Sequence, residues 1–540
     1  MCVKLYIKHC ASLSLFHQTK QKPHQIAQNM ELLSYYFLTF AFILAIVLSF
    51  LKAKAFPPKP SDSLRLPPGP WQLPIVGSLH HLIIGGALPH RALRDMSRKY
   101  GPLMLLKLGE TPTIIASSVE AAKEIMKTQD VTFATRPISV TVHTLSWAGR
   151  DIIFAPYGDY WRQTRKVCIT KLFGPKRIQV YQSLREEEVK NLIRNIAAAA
   201  KTSPLVNLSE LMTNFVSDTT VRAITGATHK EHPDFMHAWG ISLGLAAGSN
   251  MADLFPSGRS LTDILSGATY EAKRCNDIIG GLFDNIIKMK RERNAISDAT
   301  DTEDEDLLDV LLKMHQGEGV PTPLELDSIK GVLLDLFGAG GETSATTLDW
   351  AMSELLRHPS TLERAIAEVR SVLKGKPTVA DEDVHKLPYI QNVIRDTLRL
   401  HTPVPLLPRL SQADCTVLGY DIPKNTKFLV NGWALGRDPK YWDDPDAFKP
   451  ERFKEHAVDY KGTELEYIPF GAGRRQCPGT MFGIANVELC LANLLYHFDW
   501  ELPEGVKPEK MDMAELFGVT IRRKNHLFLR PVLRIPCPAA

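Results

Sequence analysis

Hydrophobic residues recur at helical spacing over most of the chain after residue 75, and only short stretches alternate as strands do. The strand-like runs occupy residues 103–108, 113–116, 425–430 and 526–529. The sequence has no internal repeat, and few Pro-, Gly- or Ser-rich breaks interrupt it. This pattern predicts one mainly α-helical domain with smaller β-sheet regions over residues 75–535, followed by a tail at 536–540.

The longest predicted helix covers residues 327–356. A capping box with proline at the first helical position precedes it, in the sequence Thr322-Pro323-Leu324-Glu325, and Pro359 follows it. Its middle, residues 338–347, contains three glycines, each of which costs about 1 kcal/mol relative to alanine in a helix interior. A loosened turn there would let a flat ligand approach the backbone. The alternative is a packing helix built from small residues.

Residues 32–51 form a run of 20 residues without a charge, which as a helix would span about 30 Å, the thickness of a bilayer core. Tyr35 and Tyr36 lie near its start, and Lys52 and Lys54 follow its end, which predicts a cytoplasmic downstream side. We expect a transmembrane anchor over residues 30–51. The alternative is a cleaved signal peptide, since residues 53–55 resemble a cleavage site, but the long apolar run and the basic tail favour the anchor.

The anchor is flanked by two segments of different character. Residues 1–29 add lysines on its upstream side, and Met30 would make a natural start. This extension is therefore an upstream-start artefact, a disordered segment or a transit peptide, an option weakened by its lack of arginine. Residues 52–74 are basic and rich in proline. They predict a semi-rigid hinge that fixes the height of the following domain above a membrane.

Composition excludes several classes of protein. Of the 540 residues 44% are apolar, so the chain can bury a large core. A net charge of +4 without a basic stripe argues against nucleic-acid binding. Eight cysteines without a C-x-x-C pair exclude a disulfide scaffold, a zinc ribbon and a thioredoxin-like motif.

One cysteine differs from the others in its surroundings. Cys477 lies in a glycine-rich loop directly before a predicted helix at residues 480–498, and Arg475 is two residues away. A helix N-terminus stabilises a thiolate and lowers its pKa, and the arginine could pair with an acidic group of a cofactor. By contrast, Cys168 and Cys490 fit ordinary buried positions.

These residues carry a resemblance to a known family. The segment with Phe470, Gly473, Arg475, Cys477 and Gly479 resembles the haem-binding signature of the cytochrome P-450 monooxygenases. Four other motifs of that family precede this segment in the expected order: Trp161-Arg162-Gln163-Thr164-Arg165, Ala339-Gly340-Gly341-Glu342-Thr343, Asp396-Thr397-Leu398-Arg399 and Pro450-Glu451-Arg452-Phe453. The resemblance covers residues 30–535. Within the family, the sequence most resembles the plant microsomal branch that acts on specialised metabolites, including the terpenoid hydroxylases.

The resemblance implies the cytochrome P-450 fold, haem b as cofactor and Cys477 as the axial ligand of its iron. It implies that Thr343 hydrogen-bonds oxygen and that Glu342 resupplies protons. It places these residues around the haem: Arg475, Trp161, Arg165, Arg409, Phe470, Gly473, Gly340 and Gly341. Apolar loops are expected to line the substrate pocket, with Phe337, Ala339, Val404, Leu406, Leu407, Phe517 and Val519.

One position departs from the family pattern, because residue 396 is Asp where the pattern has Glu. The acid is expected to pair with Arg399, one helical turn away, and with Arg452. Aspartate is one methylene shorter, so the geometry of this network must tighten or loosen. If the buried network breaks, the cost is about 3–5 kcal/mol.

The predicted function is insertion of one oxygen atom of O2 into a small lipophilic metabolite, with a terpenoid favoured over an indole, alkaloid or phenolic. The chain lacks a dinucleotide-binding fingerprint, so the resemblance implies electrons from a membrane-bound NADPH-dependent reductase. This partner would dock near Arg162, Lys166 and Arg474. The expected address is the endoplasmic reticulum membrane, with the catalytic domain on the cytosolic face.

Three rival functions stay open. A haem-thiolate isomerase or lyase, or a non-catalytic haem protein, would keep Cys477 without needing Glu342 and Thr343. A serine hydrolase is suggested by Gly240-Ile241-Ser242-Leu243-Gly244, although the residues before this motif read as helix rather than strand. His229, Glu231 and His232 hint at a metal site, but a hydrated loop explains them as well.

Overall fold

A computed structural model describes residues 64–84, 86–227, 233–247, 250–296, 306–320, 322–455 and 458–537. Residues 1–29, the predicted anchor and the first part of the predicted hinge lie outside this range. Among the described residues, no helix combines the length and the apolar character needed to cross a bilayer.

Helices dominate the described part of the chain. They are α1 (Leu79–Ile83), α2 (Pro89–Tyr100), α3 (Val119–Lys123), α4 (Val140–Leu145), α5 (Asp159–Lys171), α6 (Pro175–Val180), α7 (Gln182–Thr202), α8 (Leu208–Thr225), α9 (Pro233–Ala246), α10 (Met251–Leu254), α11 (Arg259–Ser266), α12 (Ala268–Ile296), α13 (Leu307–His315), α14 (Leu326–Arg357), α15 (Pro359–Val372), α16 (Pro388–Leu400), α17 (Gly432–Leu435), α18 (Arg452–Glu455) and α19 (Thr480–His497). Short 3-10 or π turns lie at Glu124–Thr128, Pro256–Gly258, Asp381–Lys386, Gly473–Arg475 and Pro508–Lys510.

The strands form four small sheets among the described residues. They are β1 (Leu103–Leu108), β2 (Thr111–Ala116), β3 (Val206–Asn207), β4 (Leu406–Leu410), β5 (Cys415–Val417), β6 (Tyr420–Ile422), β7 (Lys427–Asn431), β8 (Phe498–Glu501), β9 (Glu515–Leu516), β10 (Arg522–Arg523) and β11 (Phe528–Leu533). The largest sheet has the order β1-β2-β7-β4, with β2 and β7 parallel and the outer pairs antiparallel. Each of the four predicted strand-like runs overlaps a strand.

The central helix α14 is enclosed on most of its circumference by α8, α16 and α19. Apolar residues of these helices form the largest core cluster, as expected for a helix that is hydrophobic all round. The helix ends before Pro359 as predicted, but it begins at Leu326, so the predicted capping box does not form. The physical reason is that Leu324 is tied to α13, by its N–H to the Met314 carbonyl at 3.3 Å and by its carbonyl to the His315 ring at 2.7 Å.

Within the predicted hinge, residues Leu64–Gln72 belong to the same compact unit as Val76–Ala540. The N–H of Leu105 in β1 donates to the Pro68 carbonyl at 2.8 Å, and Arg65 exchanges two hydrogen bonds with Asp421 at 2.8 Å each. Gly69 approaches β1 so closely that a Cβ would lie 1.9 Å from the Leu105 carbonyl oxygen. The described residues of a second unit are Leu73–Ile75.

Candidate active site

Cys477 sits in a tight loop that leads into α19, as the sequence predicted. Its backbone N–H donates to the Phe470 carbonyl at 2.9 Å, and its carbonyl accepts from the Thr480 hydroxyl at 3.0 Å. Gly473 opens the 3-10 turn of this loop with φ of +69°, a value that favours glycine. A Cβ at this position would also lie 2.3 Å from the Met126 carbonyl oxygen. The loop therefore requires glycine both for its turn and for its packing.

Cys477 has accessible surface although its thiol is surrounded by protein on most sides, a combination that indicates a cavity within the molecule. Burial raises the pKa of the Cys477 thiol, while the Gly479 N–H and the Arg165 guanidinium lower it by less. The expectation that the helix start lowers this pKa is therefore wrong for the protein without a bound cation, because desolvation outweighs the dipole. A metal cation at the sulfur would supply the missing charge, since a coordinating thiol is deprotonated.

A short stretch of α14 also keeps accessible surface. Ala339 is exposed within a helix whose neighbouring residues are mostly buried, and Thr343 lies one turn further on the same face. Near this point α19 crosses α14, since a Cβ at Gly483 would lie 3.4 Å from the Ser344 hydroxyl. Ala339, Thr343 and Cys477 thus all keep accessible surface and lie within six residues of the contact between Gly483 and Ser344.

Both side chains predicted to handle oxygen and protons are engaged within the chain. The Thr343 hydroxyl donates to the carbonyl of Ala339 at 2.7 Å, which is the usual bond of a threonine to its own helix. The carboxylate of Glu342 accepts from the Thr520 hydroxyl at 2.9 Å, and Arg522 approaches the same oxygen to 3.9 Å. Either residue must exchange a hydrogen bond before it can act on another group.

The glycines of α14 are explained by helix packing rather than by approach of a ligand. A Cβ at Gly338 would lie 1.8 Å from the Trp239 ring of α9. A Cβ at Gly340 would lie 2.8 Å from the Thr220 side chain, and one at Gly341 would lie 3.2 Å from the hydroxyl of Ser217. Gly340 and Gly341 therefore turn these faces to α8, so that the prediction that they admit a flat ligand is corrected.

A cluster of arginines lies beside the Cys477 loop. Trp161 is buried with its indole N–H donating to the Ile152 carbonyl at 3.0 Å. The guanidinium groups of Arg475 and Arg165 lie over its ring, at 4.4 Å and 5.2 Å from the ring centre. Arg165 donates to the Gln476 carbonyl at 2.5 Å. Arg475 donates to four backbone carbonyls. The structure thus brings together three of the predicted haem-binding residues.

Arg409 and a further arginine, Arg136, complete this cluster. Arg409 is 1% exposed, and its pKa is lowered to about 9 by burial and by the charges of Arg136 and Arg475. The Nε atoms of Arg136 and Arg409 have no hydrogen-bond partner among the described residues. Sequence reasoning missed Arg136, whose only signal is a lone charge after Phe133 and Ala134. An anion would stabilise buried cations that repel one another. The two carboxylates of haem would supply that negative charge.

The predicted ionic network around Asp396 is present and closed. The Oδ1 atom of Asp396 lies 2.6 Å from Arg399 Nε and 3.1 Å from Arg452 Nε, and Oδ2 accepts from the backbone N–H of Lys449 at 2.5 Å. The remaining nitrogens of the two arginines donate to backbone carbonyls, among them Gly436 and Ala447. The shorter acid reaches both arginines because one oxygen serves them both.

The predicted pocket residues divide between two faces of the β4 strand and two loops. Leu407 shares a face with Arg409 and packs in the cluster that contains Val404. Leu406 lies on the other face, against Leu93 and Met104, which corrects its assignment to the pocket. Its position follows from the period of two along a strand.

The remaining pocket candidates are placed by ring contacts and backbone bonds. Phe337 packs edge-on against Phe283 at 5.6 Å, within the helical core. Phe517 stacks on His90 at 6.3 Å. Val519 precedes Thr520, and the following N–H of Ile521 donates to the Pro403 carbonyl at 2.8 Å. The loop with Phe517 and Val519 therefore joins the Glu342 side of α14 to the start of β4.

The rival hydrolase motif is excluded by its local structure. Residues 240–244 lie within α9, and the Ser242 hydroxyl donates to the Ala238 carbonyl at 2.8 Å. A nucleophile elbow needs a strand before the serine and a turn at it, and neither is present. His229, Glu231 and His232 lie outside the described residues. Across the part of the chain that the structure describes, no group of three His, Cys, Asp or Glu side chains could hold a metal ion.

Comparison with known proteins agrees with this geometry. A model of the cytochrome P-450 family matches residues 67–529. Desmethyl-deoxy-podophyllotoxin synthase of Sinopodophyllum hexandrum is 47% identical over 91% of this chain and 96% of its own length. Dolabradiene monooxygenase of Zea mays is 46% identical and premnaspirodiene oxygenase of Hyoscyamus muticus 45% identical, each over 87% of this chain and 93% of its own length.

Solved structures agree as well. A zebra fish cytochrome P-450 with abiraterone superposes with a TM-score of 0.67 at 26% identity, and one with progesterone with a TM-score of 0.69 at 26% identity. Both matches cover 83% of this chain and all of the other. Fold and site together define a haem-thiolate oxidoreductase that incorporates oxygen. The chain belongs to the cytochrome P-450 family, among relatives from plants.

Proposed function

We propose that this protein inserts one atom of O2 into a small lipophilic plant metabolite, with a terpenoid as the first choice and an indole, alkaloid or phenolic as the second. The observation that carries the proposal is that Ala339, Thr343 and Cys477 keep accessible surface close to the contact between α14 and α19. This arrangement combines a cysteine ligand with a hydroxyl of α14. Apolar residues such as Val404 and Leu407 lie near it, which suits a lipophilic substrate.

The proposal gives each residue of the arginine cluster a role. Arg165, Arg409 and Arg475 would hold the two haem carboxylates, and the Trp161 ring supports Arg165 and Arg475 through cation–π contacts. Arg136 adds a fourth cation that the sequence did not suggest. Bound haem with a thiolate ligand supplies the chemistry that cleaves the O–O bond.

The protons for this chemistry come through two hydrogen-bond exchanges. Thr343 releases the Ala339 carbonyl and donates towards the cavity, at an atom that already has accessible surface. Glu342 releases the Thr520 hydroxyl, takes up a proton from solvent water and passes it inward, and Arg522 nearby stabilises the carboxylate that re-forms. Because both bonds are made within the chain, the relay is held closed until substrate or water rearranges it.

Thr343→Ala tests the relay, with Thr347→Ala as its matched control. Thr347 is buried on the same helix, and its hydroxyl donates to the Thr343 carbonyl at 2.8 Å, so it makes the same local bond without facing the cavity. We expect Thr343→Ala to lower product formation by about 10²-fold while NADPH consumption continues, and Thr347→Ala to change neither. A haem-thiolate isomerase or lyase would need no relay. Equal product from Thr343→Ala and the parent would therefore favour that alternative.

Electrons are proposed to come from a membrane-bound NADPH-dependent flavoprotein reductase that docks beside the Cys477 loop. Arg162 and Arg474 lie on the outer side of this region, about half exposed, and both stack on Tyr157 at 5.7 Å from its ring centre. Each already pairs with an acid of the chain, Arg162 with Asp159 and Arg474 with Asp130. Charge reversal at both should slow reduction by the reductase and leave chemical reduction by dithionite unchanged.

The proposed address is the endoplasmic reticulum membrane, with residues 30–51 as a single-pass anchor and the catalytic unit in the cytosol. A chain that begins at Met30 is expected to insert and work as the full chain does. Cell fractionation and protease protection would measure this. Activity or location that changes on removal of residues 1–29 would give that extension a role and contradict the proposal for it.

The substrate class is tested in microsomes that contain the protein and a reductase. They are supplied with NADPH and separate panels of terpenoids, alkaloids and phenolics, and products are identified by mass spectrometry. The relatives include enzymes named for dolabradiene and premnaspirodiene, which favours the terpenoid panel. Cys477→Ala is the control, and should abolish both turnover and the thiolate-type carbon-monoxide band. Turnover only outside the terpenoid panel would overturn the first choice.

A further inference from the structure

A short strap of backbone, residues 151–155, lies between two carboxylates and the arginine cluster. Its four consecutive N–H groups at residues 152–155 all donate to these acids. Asp335 Oδ2 accepts from Ile152 at 2.6 Å and from Ile153 at 2.8 Å. Asp151 Oδ1 accepts from Phe154 and Ala155, each at 2.8 Å. The strap therefore has no regular secondary structure and is held by side chains alone.

The carbonyl groups of the same strap accept hydrogen bonds from three side chains of the cofactor site. The Ile152 carbonyl accepts from the Trp161 indole at 3.0 Å and from Arg475 at 3.2 Å. The Ile153 carbonyl accepts from Arg136 at 3.0 Å and from Arg475 at 3.2 Å, and the Ala155 carbonyl accepts from Arg475. Because a peptide unit is rigid, fixing its N–H also fixes the direction of the neighbouring carbonyl.

A second observation ties the strap to the central helix. Gly331 lies one turn before Asp335 on the same face of α14, and a Cβ there would lie 2.6 Å from the Arg150 carbonyl oxygen, at the entrance of the strap. Asp335 is 8% and Asp151 1% exposed. Burial and the carboxylate of Asp151 raise the pKa of Asp335 well above its usual range, and the two N–H groups and Arg136 oppose this shift. The helix thus places a buried carboxylate, which costs free energy to desolvate, on the face that contacts the strap.

We propose that Asp335 is a positioning residue of the cofactor site, which holds the strap so that its carbonyls aim Arg475, Arg136 and Trp161 at the haem carboxylates. Asp335 acts through the strap and touches none of these three side chains. Without it, two buried N–H groups lose their acceptor, and the carbonyls that orient the arginines move with them. The inference rests on the haem assignment and adds a residue outside the motifs that made it.

The first test compares haem loss from holoenzyme variants, measured as transfer of haem to excess apomyoglobin. Asp335→Ala should lose haem about tenfold faster than the parent, which corresponds to the loss of roughly one hydrogen bond to a charged group. Asp335→Asn keeps an acceptor oxygen and should lie in between. Asp349→Asn is the matched control, because Asp349 is an aspartate of the same helix whose carboxylate accepts from Ser209 at 2.7 Å, away from the strap.

The second test separates positioning from simple loss of stability. Apoproteins are reloaded with haem or with its dimethyl ester, whose carboxylates carry no charge. If Asp335 acts through the arginines, the difference in haem loss between parent and Asp335→Ala should disappear with the ester. Gly331→Ala, which pushes the strap from the helix without changing a charge, should behave as Asp335→Ala does.

Two results would overturn the inference. One is equal haem loss from the parent and Asp335→Ala. The other is a difference that persists undiminished with the ester, which would mean that Asp335 only stabilises the fold. Urea unfolding of each apoprotein identifies variants that fail to fold. Should Asp335→Ala fail, Asp335→Asn and Gly331→Ala carry the same comparison.

Discussion

Two clusters of buried arginines lie in this molecule, and they solve the problem of buried charge in opposite ways. In the first, Arg399 and Arg452 share the carboxylate of Asp396, and their other nitrogens reach backbone carbonyls. In the second, Arg136 and Arg409 form no ion pair with a carboxylate among the described residues, and the buried Nε of each makes no hydrogen bond there. Arg452 Nε of the first cluster also makes no regular hydrogen bond, but it lies 3.1 Å from the carboxylate of Asp396. We call the first cluster complete because its counter-ion belongs to the chain. The second is completed by the carboxylates of the cofactor, so that its instability without haem marks the site.

The largest expected effect is in the complete cluster. Asp396→Ala leaves two buried guanidinium groups without their carboxylate, and should lower the free energy of unfolding by about 3–5 kcal/mol. Urea denaturation of the apoprotein and the haem-to-protein ratio of the holoenzyme would measure this. Asp396→Glu is the matched variant. Since both oxygens of Asp396 are already used within 3.1 Å, an added methylene should cost about 1–3 kcal/mol while haem is still bound.

From the sequence, a loosened network was one of two expectations for the shorter acid, and loosening would give a reason for glutamate to bind better. The structure removes that reason, because Asp396 Oδ1 contacts both arginines. Unchanged stability in Asp396→Ala would mean that the two arginines are held by their backbone carbonyls alone. In that case the comparison between a complete and an incomplete cluster would lose its first member.

The incomplete cluster predicts a change of sign between apoprotein and holoenzyme. Arg409→Met removes a buried cation whose pKa is lowered to about 9 by burial and by Arg136 and Arg475. We expect the free energy of unfolding of the apoprotein to rise by roughly 1–3 kcal/mol, because the substitution removes a buried charge that is poorly solvated. The holoenzyme should lose haem faster, because one partner of its carboxylates is gone. Urea denaturation and haem transfer measure the two sides.

Lys127→Met serves as the control for that experiment, since its ammonium group makes an exposed bond to the Thr463 carbonyl and lies outside the cluster. A loss of stability in the apoprotein of Arg409→Met would show that its bonds to the Pro408 and Ala472 carbonyls outweigh the repulsion. Both clusters would then be stabilised within the chain, and the absence of a carboxylate would not destabilise the second one.

Local patterns in the sequence predicted the parts of this fold that depend on local interactions. The strand at residues 103–108 was predicted to the residue, because its mainly apolar residues pair with the adjacent β2. The start of α14 was predicted to within one residue, but the capping box before it was wrong, because Leu324 is held by α13 through contacts that no local pattern contains. The helix propensity of Thr322 to Glu325 was thus overridden by tertiary packing.

The candidate site divides in the same way. Cys477, Arg475 and Trp161 lie in short motifs and were predicted together. Arg136 carries no motif, and the bond between Glu342 and Thr520 joins residues 178 positions apart, so neither could be read from local sequence. The packing role of Gly340 depends on Thr220 of another helix. Residues that act through distant partners are those that only the three-dimensional structure identifies.

The smallest predicted effect concerns a buried charge of the opposite sign that also lacks a full partner. Burial raises the pKa of Asp349 to about 6, while the Ser209 hydroxyl and the Arg523 charge oppose this shift. The folded state therefore keeps a proton between about pH 4 and pH 6 that the unfolded state releases. Stability from this group falls as the pH rises through that window and is level above it.

Asp349→Asn should remove this slope and raise the free energy of unfolding at pH 7 relative to the parent by about 1 kcal/mol, a value reduced for partial solvent access. Urea denaturation of parent and variant at pH 4, 5, 6 and 7 measures the difference, and haem loss should not change because Asp349 lies away from the strap. A variant that is less stable than the parent at every pH would show that the Ser209 bond outweighs the cost of burial. In that case, a buried charge without a full set of partners would be destabilising only in the arginine cluster, where the missing partner is a ligand.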